Sequence, residues 1–161
     1  MLIWAIIASL VVILDQIAKL LVIYNIGPTD CFHIIPKLFD FVYVKNTGAA
    51  FSMLSNNTGF LSIISIIFCV GVLLYWYKKK PASTLLKAAL CLLFAGALGN
   101  AIDRIFRGFV VDFISTAFVN FPVFNIADIA ITFGAILLII YFIFFDKDEK
   151  DEENNPSGIK S

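Results

Sequence analysis

Ionisable and amide side chains set inside apolar segments are the first residues to weigh, because a charge at bilayer depth is costly and by default marks a function. Here they are few: Asp15 and Lys19 in DQIAK, Asn46, two residues before Gly48, in KNTGAAF, Asn100, Asp103 and Arg104 in GNAIDR, Asp112 in VVDF, and Asn125 and Asp128 in FNIAD. Asp112 and Asp128 could act as a catalytic pair, since two neighbouring carboxylates cannot both ionise cheaply and tend to share a proton. One then activates water while the other protonates, which hydrolyses a peptide bond without a metal or a covalent intermediate. Their separation in sequence does not by itself pair them. Asp128 reads equally as a first-turn acid favoured by the helix dipole behind an Asn125 cap, and Asp112 as a solvated loop acid.

The other candidates also carry a plain structural reading. Asp15 and Lys19 lie at i and i+4 on one helix face and can neutralise each other. Asp103 and Arg104 can close a loop ion pair, although a guanidinium also suits a carboxylate or a substrate carbonyl. GALGN before Asn100 reads as close helix packing through small residues. Asn46 either holds a substrate backbone through its amide or makes a turn with Gly48. A Ser/Lys hydrolase would use Ser52 or Ser55 with Lys45 or Lys37, and a small carrier would use Asp15, Lys19 and Asp128 as a relay, though no broken helix or internal repeat supports it. The single histidine, His33, is read in a loop, and Cys31, Cys69 and Cys91 form no cluster with it, so no metal site and no cofactor are expected.

These residues need elements that bring them together. Of 161 residues, 60% are hydrophobic and 15% charged, with a mean hydropathy of +0.93, which a soluble domain of this size could not cover. Four segments can cross a bilayer, near 2–24, 59–77, 82–102 and 126–145, leaving outer loops at 25–58 and 103–124. The first, MLIWAIIASLVVIL, lacks the basic start of a cleavable signal and is read as a retained span. Lys78, Lys79, Lys80 and Lys87 make their loop the basic one and so cytoplasmic, with Tyr75, Trp76 and Tyr77 as an interfacial belt. Both termini then lie inside, and the candidate residues gather at one depth on the outer side. The stretch LFDFVYV alternates like a strand, and a small sheet lying on the membrane is expected from the apolar first loop. The charges balance at 12 Lys+Arg against 12 Asp+Glu without a basic stripe, so nucleic acid is excluded as a partner. The charged end 146–161 reads as a disordered cytoplasmic tail.

Taken in order, DQIAK, NTGAAF, GNAIDR, VVDF and FNIAD resemble the motifs of the lipoprotein signal peptidases, also called signal peptidase II, over nearly the whole chain. The resemblance implies an all-α four-helix transmembrane bundle with a small extracytoplasmic sheet, acting as an aspartyl endopeptidase of the bacterial plasma membrane. Its substrates would be prolipoproteins with a diacylglyceryl-modified lipobox cysteine, cut on the N-terminal side of that cysteine. It implies Asp112 and Asp128 as the catalytic aspartates. Asp15, Asn46, Asn100, Arg104 and Asn125 would position substrate and dyad, with Lys19, Gly48 and Asp103 in support. Membrane lipids surround such an enzyme, and a monomer is expected.

Overall fold

The computed structural model describes residues 1–48 and 57–145. Four long helices carry the chain: α1 (Leu2–Asn25), α2 (Thr58–Lys79), α3 (Thr84–Arg107) and α4 (Ile126–Phe144). Three strands, β1 (Cys31–Ile35), β2 (Phe39–Asn46) and β3 (Val110–Thr116), form one antiparallel sheet in the order β1-β2-β3. All four helices are long and apolar enough to cross a membrane. With an unbroken intrahelical hydrogen-bond ladder, such helices leave no backbone group to lipid except at their ends. Ser52, Ser55 and the tail at 146–161 lie outside the described residues.

α3 is the central stave. Its most apolar stretch is 61% buried, whereas those of α1, α2 and α4 are each 22% buried and turn most of their side chains outward. The small residues of α3 and α4 make the contact close. A Cβ on Gly96 would run into the Ala127 carbonyl, and one on Gly134 would meet Leu93 Cγ at 2.8 Å. Small side chains are what allow helix backbones to approach this far where lipid supplies no hydrophobic drive. α1 joins α3 through Ala8, Cys91 and Ala95, α2 through Val72, Leu86 and Leu90, and the sheet rests on α1 through Val22, Ile26, Val111 and Phe113.

The chain departs from the sequence expectation at three places. α3 does not end near residue 102 but continues to Arg107, so Asp103 and Arg104 are helical and not in a loop. The stop is Gly108, which takes the left-handed conformation (φ 78°) and donates its N–H to the Arg104 carbonyl at 3.2 Å. Asp112 is not a solvated loop acid: it stands in β3, directly opposite Val44 of β2, and is 2% exposed. His33 is in β1 and not in a loop, and strand alternation with the hairpin register gathers Cys31, His33 and Asp40, a cluster the linear spacing does not display.

Candidate active site

Two backbone devices deliver the two carboxylates. The first is β3, whose pairing with β2 carries Asp112 to the C-terminal end of α3 and the N-terminal end of α4. The second is the start of α4, where Asn125 is the N-cap and Asp128 the third helical residue of a reciprocal capping box. The Asn125 Oδ1 accepts from the Asp128 N–H at 2.9 Å, and Asp128 Oδ2 accepts from the Asn125 N–H at 3.1 Å. Phe124, just before the cap, exchanges backbone hydrogen bonds with Ile114, which ties the start of α4 to β3.

The asparagine amides are held in one sense. Since Asn125 Oδ1 is engaged by a backbone donor, its Nδ2 must face the other way, and it donates to Asp112 Oδ1 at 2.7 Å and to Asn100 Oδ1 at 3.2 Å. Asn100 Oδ1 also accepts from Lys19 Nζ at 3.0 Å, which turns its own Nδ2 to Asp128 Oδ1 at 2.8 Å. Asn46 Nδ2 donates to Asp112 Oδ2 at 2.8 Å while its Oδ1 accepts from the Gly48 N–H at 2.9 Å, so the turn with Gly48 read from sequence is present and the amide nitrogen is turned to Asp112. Arg104 Nη2 donates to the Gly48 carbonyl at 3.2 Å, fixing the same turn from α3 rather than pairing with Asp103.

Behind this layer lies a buried ionic cluster centred on Lys19, whose ammonium contacts Asp15 Oδ2 at 2.8 Å and Asp103 Oδ2 at 3.0 Å. The Asp15–Lys19 pair is therefore part of a triad, and none of its members is exposed. Each carboxylate of the triad also holds a backbone N–H one residue ahead of a site aspartate. Asp15 Oδ1 accepts from Ala127 N–H at 3.0 Å, and Asp103 Oδ2 accepts from Val111 N–H at 3.0 Å. Sequence reasoning missed Gln16 and Arg107. Gln16 Nε2 bridges Asp15, the Gly99 carbonyl and Asp103, and Arg107 Nη1 pairs with Asp103 and donates to Gln16 Oε1 at 2.9 Å. The i,i+4 spacing of Asp103 and Arg107 was the available signal.

Asp112, Asp128, Asn46, Asn100 and Arg104 all line one cavity of about 780 Å³, whose remaining wall is mostly apolar and includes Ile64 and Phe68 of α2 and Phe133 of α4. Arg104 Nε is buried and has no hydrogen-bond partner among the described residues. Burial, and next the neighbouring Asp128 carboxylate, push Asp112 up to about 6, against the two amide donors that favour its ionised form. A carboxyl that holds its proton near neutrality beside a second carboxylate is suited to proton transfer in both directions.

Known proteins share this sequence and this architecture. The family model described as Signal peptidase (SPase) II matches residues 7–144. A lipoprotein signal peptidase of Staphylococcus aureus is 41% identical over 149 residues, covering 91% of each chain, and that of strain JH9 is 40% identical over the same share. Two bacterial membrane enzymes solved by the in meso method superpose well. The one at 2.3 Å resolution has a TM-score of 0.84 at 36% identity over 98% of this chain and 93% of its own. The one at 1.9 Å has a TM-score of 0.80 at 40% identity over 89% and 93%. With both sequence and fold shared over almost its full length, this chain belongs to the signal peptidase II family of aspartic peptidases.

Proposed function

We propose that Asp112 and Asp128 are the catalytic dyad with which this multi-pass membrane protein, a lipoprotein signal peptidase by family, cleaves prolipoproteins. The observation that carries the assignment is that the two carboxylates come from different elements, share one amide-lined cavity and are bridged by Asn125, which bonds both residues. In this reading the ionised member takes a proton from the attacking water while the protonated member stabilises the developing oxyanion and then protonates the leaving nitrogen. Asn46 and Asn100 hold the carboxylates in register for that exchange, and Arg104 offers its remaining donors to a backbone carbonyl of the substrate. The cut falls N-terminal to the diacylglyceryl-modified cysteine, the bond the family resemblance implies.

The site is proposed to face the outer leaflet. Lys78, Lys79 and Lys80 at the end of α2 and Lys87 in the first turn of α3 mark the opposite end as cytoplasmic, and an even number of spans then places both termini inside. A substrate whose signal peptide is itself a membrane helix can reach the apolar cavity wall sideways, between α2 and α4. The protein is proposed to work as a monomer.

The deciding experiment is cleavage of a diacylglyceryl lipobox peptide by purified protein in detergent with chelator present, beside the unlipidated peptide. Asp112→Asn and Asp128→Asn are expected to remain folded and inserted yet to turn over no substrate. Normal cleavage by either variant would sink the dyad, and loss of activity confined to Ser or Lys variants would favour a serine hydrolase.

A further inference from the structure

The sheet carries a second group of convergent polar side chains, away from the dyad. Cys31 and His33 alternate onto one face of β1, and the antiparallel register sets Asp40 of β2 directly opposite His33 and diagonal to Cys31. A thiol sulfur, an imidazole nitrogen and a carboxylate oxygen thereby lie within 4.8 Å of one another. Cys31 and His33 are exposed and Asp40 is partly buried, so an ion reaches them without any change in the core. None of the three lines the catalytic cavity or contacts the residues around Lys19.

We propose that Cys31, His33 and Asp40 form a binding site for a zinc-class divalent ion, with a fourth position left to water. The donor set argues for this class: one thiolate and one imidazole suit Zn²⁺, whereas Mg²⁺ and Ca²⁺ take oxygen ligands. Tetrahedral zinc with bonds of about 2.0–2.3 Å places its ligand atoms roughly 3.4–3.8 Å apart. His33 Nδ1 and Asp40 Oδ1, now 2.6 Å apart, would open by about 1 Å to admit the ion, and the wider pairs would close by a similar amount. Side-chain rotation at an exposed surface supplies both movements. Binding exchanges the His33–Asp40 contact for bonds to the metal and releases the Cys31 thiol proton to solvent, with no change of oxidation state. The ion would staple β1, an edge strand exposed along its whole length, to β2 beside the register slip between His33 and Ile35.

The test uses full-length, tag-free, reduced protein in detergent, stripped of metal and titrated with Zn²⁺ by calorimetry and with Co²⁺ by absorption. Wild type is expected to take one equivalent of either ion and to develop a thiolate-to-Co²⁺ charge-transfer band. Cys31→Ser should lose that band, and Cys31→Ser, His33→Ala and Asp40→Asn should each bind Zn²⁺ at least about tenfold more weakly. All three should still cleave the lipidated peptide, which separates loss of metal from misfolding. Absence of saturable binding to wild type, or affinity and spectrum unchanged in Cys31→Ser, would overturn the proposal and leave a cross-strand His–Asp pair with a bystander thiol.

Discussion

Asp112 and Asp128 are held by different donors, and burial beside Asp128 sets the pH behaviour of Asp112. Asp112 takes both of its side-chain hydrogen bonds from amides, and burial together with Asp128 keeps its proton on up to about pH 6. If Asp112 supplies the proton of the reaction, kcat/KM falls as pH rises through about 6. The corresponding limb in kcat lies at higher pH, because bound substrate removes more water from the carboxyl. A pH–rate profile checks both, as apparent values of the coupled pair. The same proton affects stability with a definite sign: folding raises this carboxyl from 3.8 to about 6, so its contribution to stability is greatest below about pH 4 and is lost as pH rises to 6. At Lys19 the expected effect is on the whole scaffold. Lys19→Met strands Asp15 without its buried cation, leaves Asp103 to Arg107 alone, and should cost about 3–5 kcal/mol, seen as a large drop in thermal midpoint in detergent. At this scale the sequence displayed the polar residues and the chemistry open to them, because charge in an apolar run stands out. It did not display that Lys19 reaches Asp103 as well as Asp15, or that Arg104 serves Gly48, since those contacts join segments far apart in the chain.

The elements are set by close approach as much as by hydropathy. Gly96 lets α4 approach α3 where Ala127 adjoins Asp128, so Gly96→Ala must push the helices apart against backbone and not against a yielding side chain. The expected cost is about 1–3 kcal/mol, with a fall in kcat from the displaced dyad. Gly71 in α2 has open space where its Cβ would go, and Gly71→Ala should be neutral or stabilising by up to about 1 kcal/mol. Thermal melts and turnover of the two variants side by side make the comparison. Four apolar runs made the helices legible, and alternation in LFDFVYV made β2 legible. β3 was missed because VVDFIST is short and its polar members read as loop, while its pairing partner lies far earlier in the chain. The sequence ends α3 too early because Asp103, Arg104 and Arg107 look like the start of a polar loop. Their partners are buried, and Gly108 is the signal that marks the true end.

For the molecule as a whole, orientation is the property to test. If the basic α2–α3 connection is cytoplasmic, Cys31 alone among the three cysteines should react with a membrane-impermeant maleimide added to intact cells, since Cys69 and Cys91 are buried within spanning helices. Labelling only after permeabilisation would invert the topology. The ionic cluster around Lys19 also imposes an order on biosynthesis. α1 enters the bilayer first, and Asp15 and Lys19 enter as a self-neutralised pair one helical turn apart, which lowers the cost of inserting either charge alone. Asp103 joins them only with α3, and the Ala127 N–H that Asp15 holds arrives only with α4. With Asp112 and Asp128 as the proposed dyad, a nascent chain lacking its last helix has its keystone in place and no second carboxylate to align, so proteolytic competence would wait for α4 to insert.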